Sequence, residues 1–295
     1  MTVNFTPQAP LVIYRNDIIM AFNRRDKLLY NTVLTQFQAK GYQAVFEVAD
    51  ANMDYAVSRG ANGNIPAQTF TQAQLTATME IKFAFDKRNK EDILGSQGDI
   101  ERVMTEAAVG KINRSIDKLI LDTLDTATQT AFSTAPLTSV SVDTFAGLKA
   151  KLTQAKVPGD DNIFCVIQPS VEAQLYKIPN FANSLYVGKM PTNNADVSWK
   201  DSPRMYRWMG INFIVIPGMT GEGTSSETNY IYHKNAVGLA TALSGEGSPT
   251  VDAGYDGQEK QYWVNADFYM GGKVIQNTGI YKFYSDGTSL LNIPA

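Results

Sequence analysis

The chain is poor in the residues that most chemistry needs. Its 295 residues include 1 cysteine and 1 histidine, Cys165 and His233. A lone cysteine forms no internal disulfide, so stability does not depend on an oxidising compartment. A zinc site needs clustered cysteine and histidine, which this pair does not supply. Charge is sparse too: charged residues are 19% of the chain and the formal net charge is -3. A protein that grips nucleic acid tightly carries a basic surplus, and here no arginine follows Arg207. No apolar run approaches the roughly 20 residues of a membrane helix. The opening MTVNFTPQAP lacks the basic start and apolar core of a secretory signal, so synthesis in the cytosol is expected. On that ground the triplets Asn4-Phe5-Thr6 and Asn113-Arg114-Ser115 are chance glycosylation matches. Internal repeats and low-complexity tracts are absent.

What is present is globular: 44% of residues are hydrophobic. No proline interrupts the chain between Pro66 and Pro136. Within that span Lys90 to Thr128 reads as one long helix. Ile100, Val103, Met104, Ala107, Ala108, Ile112, Ile116, Leu119, Ile120, Leu124 and Ala127 recur every three or four residues, forming one stripe. Just before it, Leu75, Ala77, Met79, Ile81, Phe83 and Phe85 alternate with Thr76, Thr78, Glu80, Lys82 and Ala84, the pattern of a half-buried strand. Val45 to Val57 reads as its antiparallel mate, with Ala49, Ala51, Met53, Tyr55 and Val57 on one face. The tip between them, Ser58 to Pro66, is rich in turn residues. An isolated two-stranded ribbon is marginal in water. Neither ribbon nor helix is expected to bury itself alone, so both call for another surface, such as a neighbouring copy.

Elsewhere the pattern predicts a helix from Asn16 or Asp17 to about Ala39, ended by Gly41. From Val140 the elements shorten: a helix from Asp143 to about Lys156, a strand over Asn162 to Ile167, and a helix opened by Pro169. Further strands are expected at Gly210 to Ile216, within Tyr230 to Ala242, at Gln261 to Asp267 and at Gly272 to Tyr284. Helices and strands mix without a regular βαβ beat, which indicates an α+β fold.

The chain offers little from which to build a catalytic apparatus. His233 ends a strand and reads as a packed or surface histidine. Cys165 lies within Ile163-Phe164-Cys165-Val166-Ile167, the setting of an inert buried thiol. No nucleophile elbow is present. Gly218 to Gly223 and Gly245 to Gly247 lack the lysine and hydroxyl residue of a phosphate loop, and each carries a glutamate. Asp160 to Asn162 and Asp252 to Asp256 lack calcium-loop spacing and read as surface turns. Aromatics crowd the last third, but without arginine beside them they read as core and interface rather than a stacking platform. Catalytic, cofactor-binding and metal-ligating residues are therefore not expected, and the chain is not expected to be an enzyme.

The order of parts resembles the major capsid proteins of tailed bacteriophages of the Hong Kong 97-like fold family. The phrases Arg207 to Ile216, Tyr232 to Ala240 and Phe268 to Tyr281 are similar to that family's strands around the axial loop and its closing element. The resemblance implies an N-terminal arm and helix over 1–45 and an extended β-hairpin loop over 46–85. It implies a peripheral domain with a spine helix over 86–139, joined by returning strands from 261–295, and an axial domain over 140–260. It further implies a self-assembling icosahedral head shell of pentamers and hexamers enclosing double-stranded DNA. That DNA would be contacted weakly and without sequence preference. The implied location is the virion, after synthesis in the bacterial host cytoplasm, and the implied further partner is a portal protein. Subunit-interface candidates are Tyr55, Arg59, Ile65, Leu75, Met79, Ile81 and Phe83 on the hairpin, Arg102 and Glu106 on the helix, and Glu222 in the loop facing the capsomer axis. The hairpin tip Arg59 to Gln68 contains no lysine, so the crosslink made by some family members is not expected. The short segment before the hairpin leaves no room for a built-in scaffold, and a separate scaffolding protein is expected. The rival expectations are an encapsulin-like nanocompartment shell and a hydrolase using His233.

Overall fold

A computed structural model of the chain describes residues 27–36, 43–50, 71–89, 100–133, 135–182, 205–241 and 250–288. In chain order its elements are β1 (Leu34–Gln36), β2 (Gln43–Asp50), β3 (Thr71–Thr78), β4 (Glu80–Asn89), α1 (Ile100–Asp125), α2 (Val142–Gln154), β5 (Ile163–Ile167), α3 (Pro169–Leu175), α4 (Pro179–Ala182), β6 (Met205–Trp208), β7 (Ile211–Val215), β8 (Glu227–His233), β9 (Val237–Thr241), β10 (Thr250–Asp256), β11 (Gln261–Val274) and β12 (Ile280–Ser285). The α+β class expected from the pattern is what forms.

The elements divide into two compact units. The smaller holds β4 from Ile81, α1 as far as Ser115, β10, and β11 as far as Phe268. There β10 runs antiparallel to β11, from Thr250 opposite Asp267 to Asp256 opposite Gln261, and β4 also pairs with β11. Alternation along β11 buries Val264, Ala266 and Phe268, while α1 contributes buried Met104, Ala108 and Ile112.

The larger unit contains a sheet in the order β12-β8-β5-β7-β6. Its central strands β5, β7 and β8 are buried at every position; β5 and β7 are accordingly almost continuously apolar, while β8 also buries the polar Glu227, Thr228, Asn229 and His233. Phe145 of α2 packs edge-on against Phe213, Trp208 and Phe283, with ring centroids 4.9, 6.0 and 6.2 Å away. The phrase Arg207 to Ile216 is a hairpin rather than one strand. Met209 (φ 54°) and Gly210 (φ 72°) make a two-residue turn with both residues left-handed. Lys149 Nζ donates to the Met209 carbonyl at 2.7 Å and steadies that turn.

The second assembly in this unit is layered. β9 pairs antiparallel with the end of β11, Met270 to Val274, and parallel with β1. The root of the β2–β3 ribbon lies on one side of this pair. Ala44, Phe46, Ala77 and Met79 are buried there with Ala240, and Leu75, Tyr269 and Ile275 pack against them. The C-terminal half of α1 approaches the other side, where Thr123 meets Gly272. Along α1 the stripe Ile116, Ile120 and Leu124 is at most 1% exposed. The stripe is thus buried by the chain's own fold, as is the ribbon root, and the expectation that neither could bury itself is corrected for the described residues.

Other expectations are corrected as well. The helix foreseen up to Ala39 is absent over 27–36, where a 3-10 turn at Tyr30–Thr32 leads into β1. Leu29 N donates to Asp117 Oδ1 at 2.9 Å, and Leu28 N reaches both carboxylate oxygens at 3.1 Å. A contact with α1 and a strand pairing with β9 replace local helical bonds. The single strand foreseen from Leu75 to Phe85 breaks at Met79, where the chain exchanges β2 for β11 as partner. Asp252 to Asp256, foreseen as a turn, belong to β10. The strands foreseen at Gln261 to Asp267 and from Gly272 onward join into the single β11. The arm over 1–15, the ribbon tip and the capping pair Ser96 and Asp99 lie outside the described residues.

Candidate assembly surface

No cleft with convergent reactive groups presents itself among the described residues, so the candidate site is an interaction surface. Its inner boundary is the ribbon root. The ladder from Gln43 opposite Thr78 to Asp50 opposite Thr71 sets the faces. Ala44 and Ala77 pair inward, as do Phe46 and Leu75. Val45, at 39% exposure, lies on the outward face with Glu47, Gln74 and Thr76.

The candidates foreseen on the hairpin separate accordingly. Met79 is 3% exposed and Leu75 packs into the same inward cluster, so both face their own chain. Ile81 is 61% exposed on β4, and Phe85, not singled out as a candidate, is 49% exposed. Lys87 Nζ sits 6.0 Å from the Phe85 ring and 2.9 Å from Glu259 Oε2. Ile81 and Phe85, an even number of residues apart, are exposed while Ala84 between them is buried, as on a strand with one free face. For Phe83 and Arg102 only the backbone is described, in β4 and α1; Tyr55, Arg59 and Ile65 lie outside the described residues. Glu106 is half-buried on α1.

Glu222 stands in the loop between β7 and β8. Its carboxylate accepts from Gly218 N at 2.6 Å, closing the loop on itself. The loop is also gripped from inside by Glu227, which sequence reasoning missed. Glu227 is 1% exposed and accepts from Gly223 N at 2.9 Å, from Ser285 Oγ at 3.2 Å, and from Ser170 Oγ. Gln168 Nε2 donates to the Thr220 carbonyl at 3.0 Å, while Gln168 N donates to Asn229 Oδ1 at 2.9 Å. The loop therefore has a built conformation in the single chain. Nothing in the local sequence marked Glu227, because its partners come from three separate segments.

The residues with catalytic potential are occupied otherwise. His233 has a side chain 4% exposed, with Nε2 2.9 Å from Asp160 Oδ1. Its Nδ1 accepts from Asn235 N at 3.2 Å, which places the proton of the neutral ring on Nε2. Both nitrogens are committed, which leaves no free base. Cys165 is buried, and burial pushes its thiol well above the ordinary value of 9.0. Among the described residues no group of acidic, cysteine or histidine side chains could hold a metal ion.

A folded body with a docked ribbon, a long helix and a braced loop is the anatomy of a tile, and comparison of the sequence decides the matter. The sequence model of the family described as phage capsid protein matches residues 7–284. The chain belongs to the phage capsid protein family. The capsid protein is similar in fold to a chain from Mycobacterium phage Che8, with TM-score 0.66 and 17% identity over 95% of this chain and 98% of that one. It is similar also to a chain of the Ralstonia phage GP4 capsid, with TM-score 0.64 and 9% identity over 97% and 98%. A third likeness is to the bacteriophage PhiM1 mature capsid, with TM-score 0.64 and 10% identity over 97% and 93%. Comparison with curated protein sequences gave no match. The resemblance drawn from the sequence is borne out in family and fold. The capsid protein is a structural subunit of a homo-oligomeric phage shell and resides in the virion. Neither rival, the nanocompartment shell or the hydrolase, is favoured.

Proposed function

We propose that the capsid protein tiles the icosahedral head of a tailed phage as pentamers and hexamers around double-stranded DNA, without catalysis. The family match across residues 7–284 carries this proposal. In it, 1–45 is an N-terminal arm and 46–85 an extended loop that lies over an adjacent copy. Residues 86–139, with the strands returning from 261, form the peripheral domain. Residues 140–260 form the axial domain, and the Glu222 loop faces the capsomer axis. A net charge of -3 suits a wall that meets DNA weakly. Portal protein and a separate scaffolding protein are further partners in the proposal, and synthesis takes place in the host cytoplasm.

Ile81 is the residue on which the contact proposal turns. Met79 is buried in its own core, so an aspartate there would damage the subunit before it tested assembly. Ile81, at 61% exposure, can be changed with little cost to the fold. Ile81→Asp is expected to give soluble, folded subunits that form no closed shells, seen by negative-stain electron microscopy. Closed shells of normal size and yield from that variant would remove β4 from the interface.

A further inference from the structure

β11 carries adjacent glycines, Gly271 and Gly272, where two other elements approach it from opposite sides. Successive residues of a strand face opposite surfaces of a sheet. A Cβ on Gly271 would collide with the Thr78 carbonyl oxygen and stand 3.0 Å from Met79 Sδ. A Cβ on Gly272 would collide with Thr123 Oγ1, with Thr123 Cβ 3.3 Å away. The Thr123 hydroxyl is held where it is, donating to the Leu119 carbonyl at 2.7 Å. Ribbon and helix therefore both rest directly on the backbone of one strand. The crossing over Gly271 falls where β3 ends and the chain turns to β11 as partner.

We propose that Gly271 and Gly272 are positioning residues for assembly, setting the height and angle at which the ribbon leaves the body and tying them to α1. The proposal rests on the ribbon being the arm that contacts a neighbouring copy. At ~3.3 Å per residue, a strand as long as β2 spans about 26 Å, so a tilt of about 10° at its root moves its end by about 4.5 Å. That exceeds the separation of atoms in contact, about 4 Å. An added methyl at Gly271 must displace the backbone of the ribbon root, and one at Gly272 must displace the Thr123 side chain or the helix that carries it.

The two sites differ in a way that supplies the test. At Gly271 the obstacle is backbone, which no side-chain substitution removes. At Gly272 the collision is with a hydroxyl, which Thr123→Ala deletes, leaving a Cβ approach of 3.3 Å that a few tenths of an ångström of give relieves. Full-length Gly271→Ala, Gly272→Ala, Thr123→Ala and Gly272→Ala/Thr123→Ala would be compared by yield of closed particles and by hydrogen exchange of the unassembled subunit. Thr123→Ala alone is expected to assemble normally. Each single alanine at a glycine is expected to lose closed particles and to raise exchange about tenfold at ribbon amides 43–48 and 74–78. Adding Thr123→Ala is expected to restore the Gly272 variant and not the Gly271 variant.

Ribbon exchange unchanged in both single variants would overturn the positioning role. So would a Gly272 variant that Thr123→Ala fails to restore, including when Gly271→Ala is insoluble. Insoluble Gly271→Ala beside a restored Gly272 variant supports it. Loosened ribbons in shells of normal yield would instead sink the premise that the ribbon is a contact arm.

Discussion

Asp117 shows what a single side chain does in this subunit. At 1% exposure its carboxylate gathers the backbone N–H groups of Leu28 and Leu29, 89 and 88 residues away in sequence. Asp117→Ala leaves those buried donors unsatisfied and is expected to cost about 2–4 kcal/mol in urea unfolding of the subunit. The sequence could not reveal this partner, since nothing local links the segments; the only hint was an acid bordering an apolar stripe. Cys165 was legible, because five apolar residues in a row leave a thiol no exit. It is expected to resist Ellman's reagent in the native subunit and to react at once in denaturant. Asp160 permits a pH prediction. Burial opposes its ionisation, but hydrogen bonds from Asn162 and His233 outweigh this and hold it below the ordinary 3.8. A depressed carboxyl stabilises the fold above its unfolded value, and that contribution fades as pH falls below 3.8. Asp160→Asn is expected to lower the melting temperature at neutral pH, with the difference from wild type shrinking in acid below that value.

Among the elements, α1 was the most legible. A period near 3.6 over that length admits no other structure, and the residues read as its stripe from Met104 to Ala127 are buried or half-buried. Ile116→Ala is expected to cost about 2–5 kcal/mol through the cavity left at a position 0% exposed. Elements that owe their form to distant partners were misread. β1 spans only Leu34–Gln36 and exists because β9 lies alongside it. β10 alternates weakly and carries acids, so its composition suggested turns until pairing with β11 overrode it. At Met79 the alternation continues unbroken across a change of partner, and periodicity cannot register which strand lies next door. The glycines of the Glu222 loop suggest flexibility, whereas the Glu227 network fixes it.

For the whole molecule, the sequence led to the right family through a premise that held only in part. The ribbon root and the spine stripe are not bare surfaces waiting for sister copies; the chain covers both itself. Among the described residues, the exposed large apolar side chains include Ile81, Phe85 and Val45. A subunit that buries its own core has what it needs to fold before it assembles. Melting of the unassembled subunit is therefore expected to be cooperative and independent of protein concentration, as checked by circular dichroism over a hundredfold dilution; a melting point that climbs with concentration would mean folding waits on neighbours.

The sealed thiol of Cys165 has a practical side. With the native sulfhydryl shut away, a cysteine engineered at the surface would be the sole handle for maleimide chemistry on each copy. Ile81→Cys would let a fluorophore be placed at the proposed seam, so that shell closure could be followed in real time as the dye passes from water into a crowded contact.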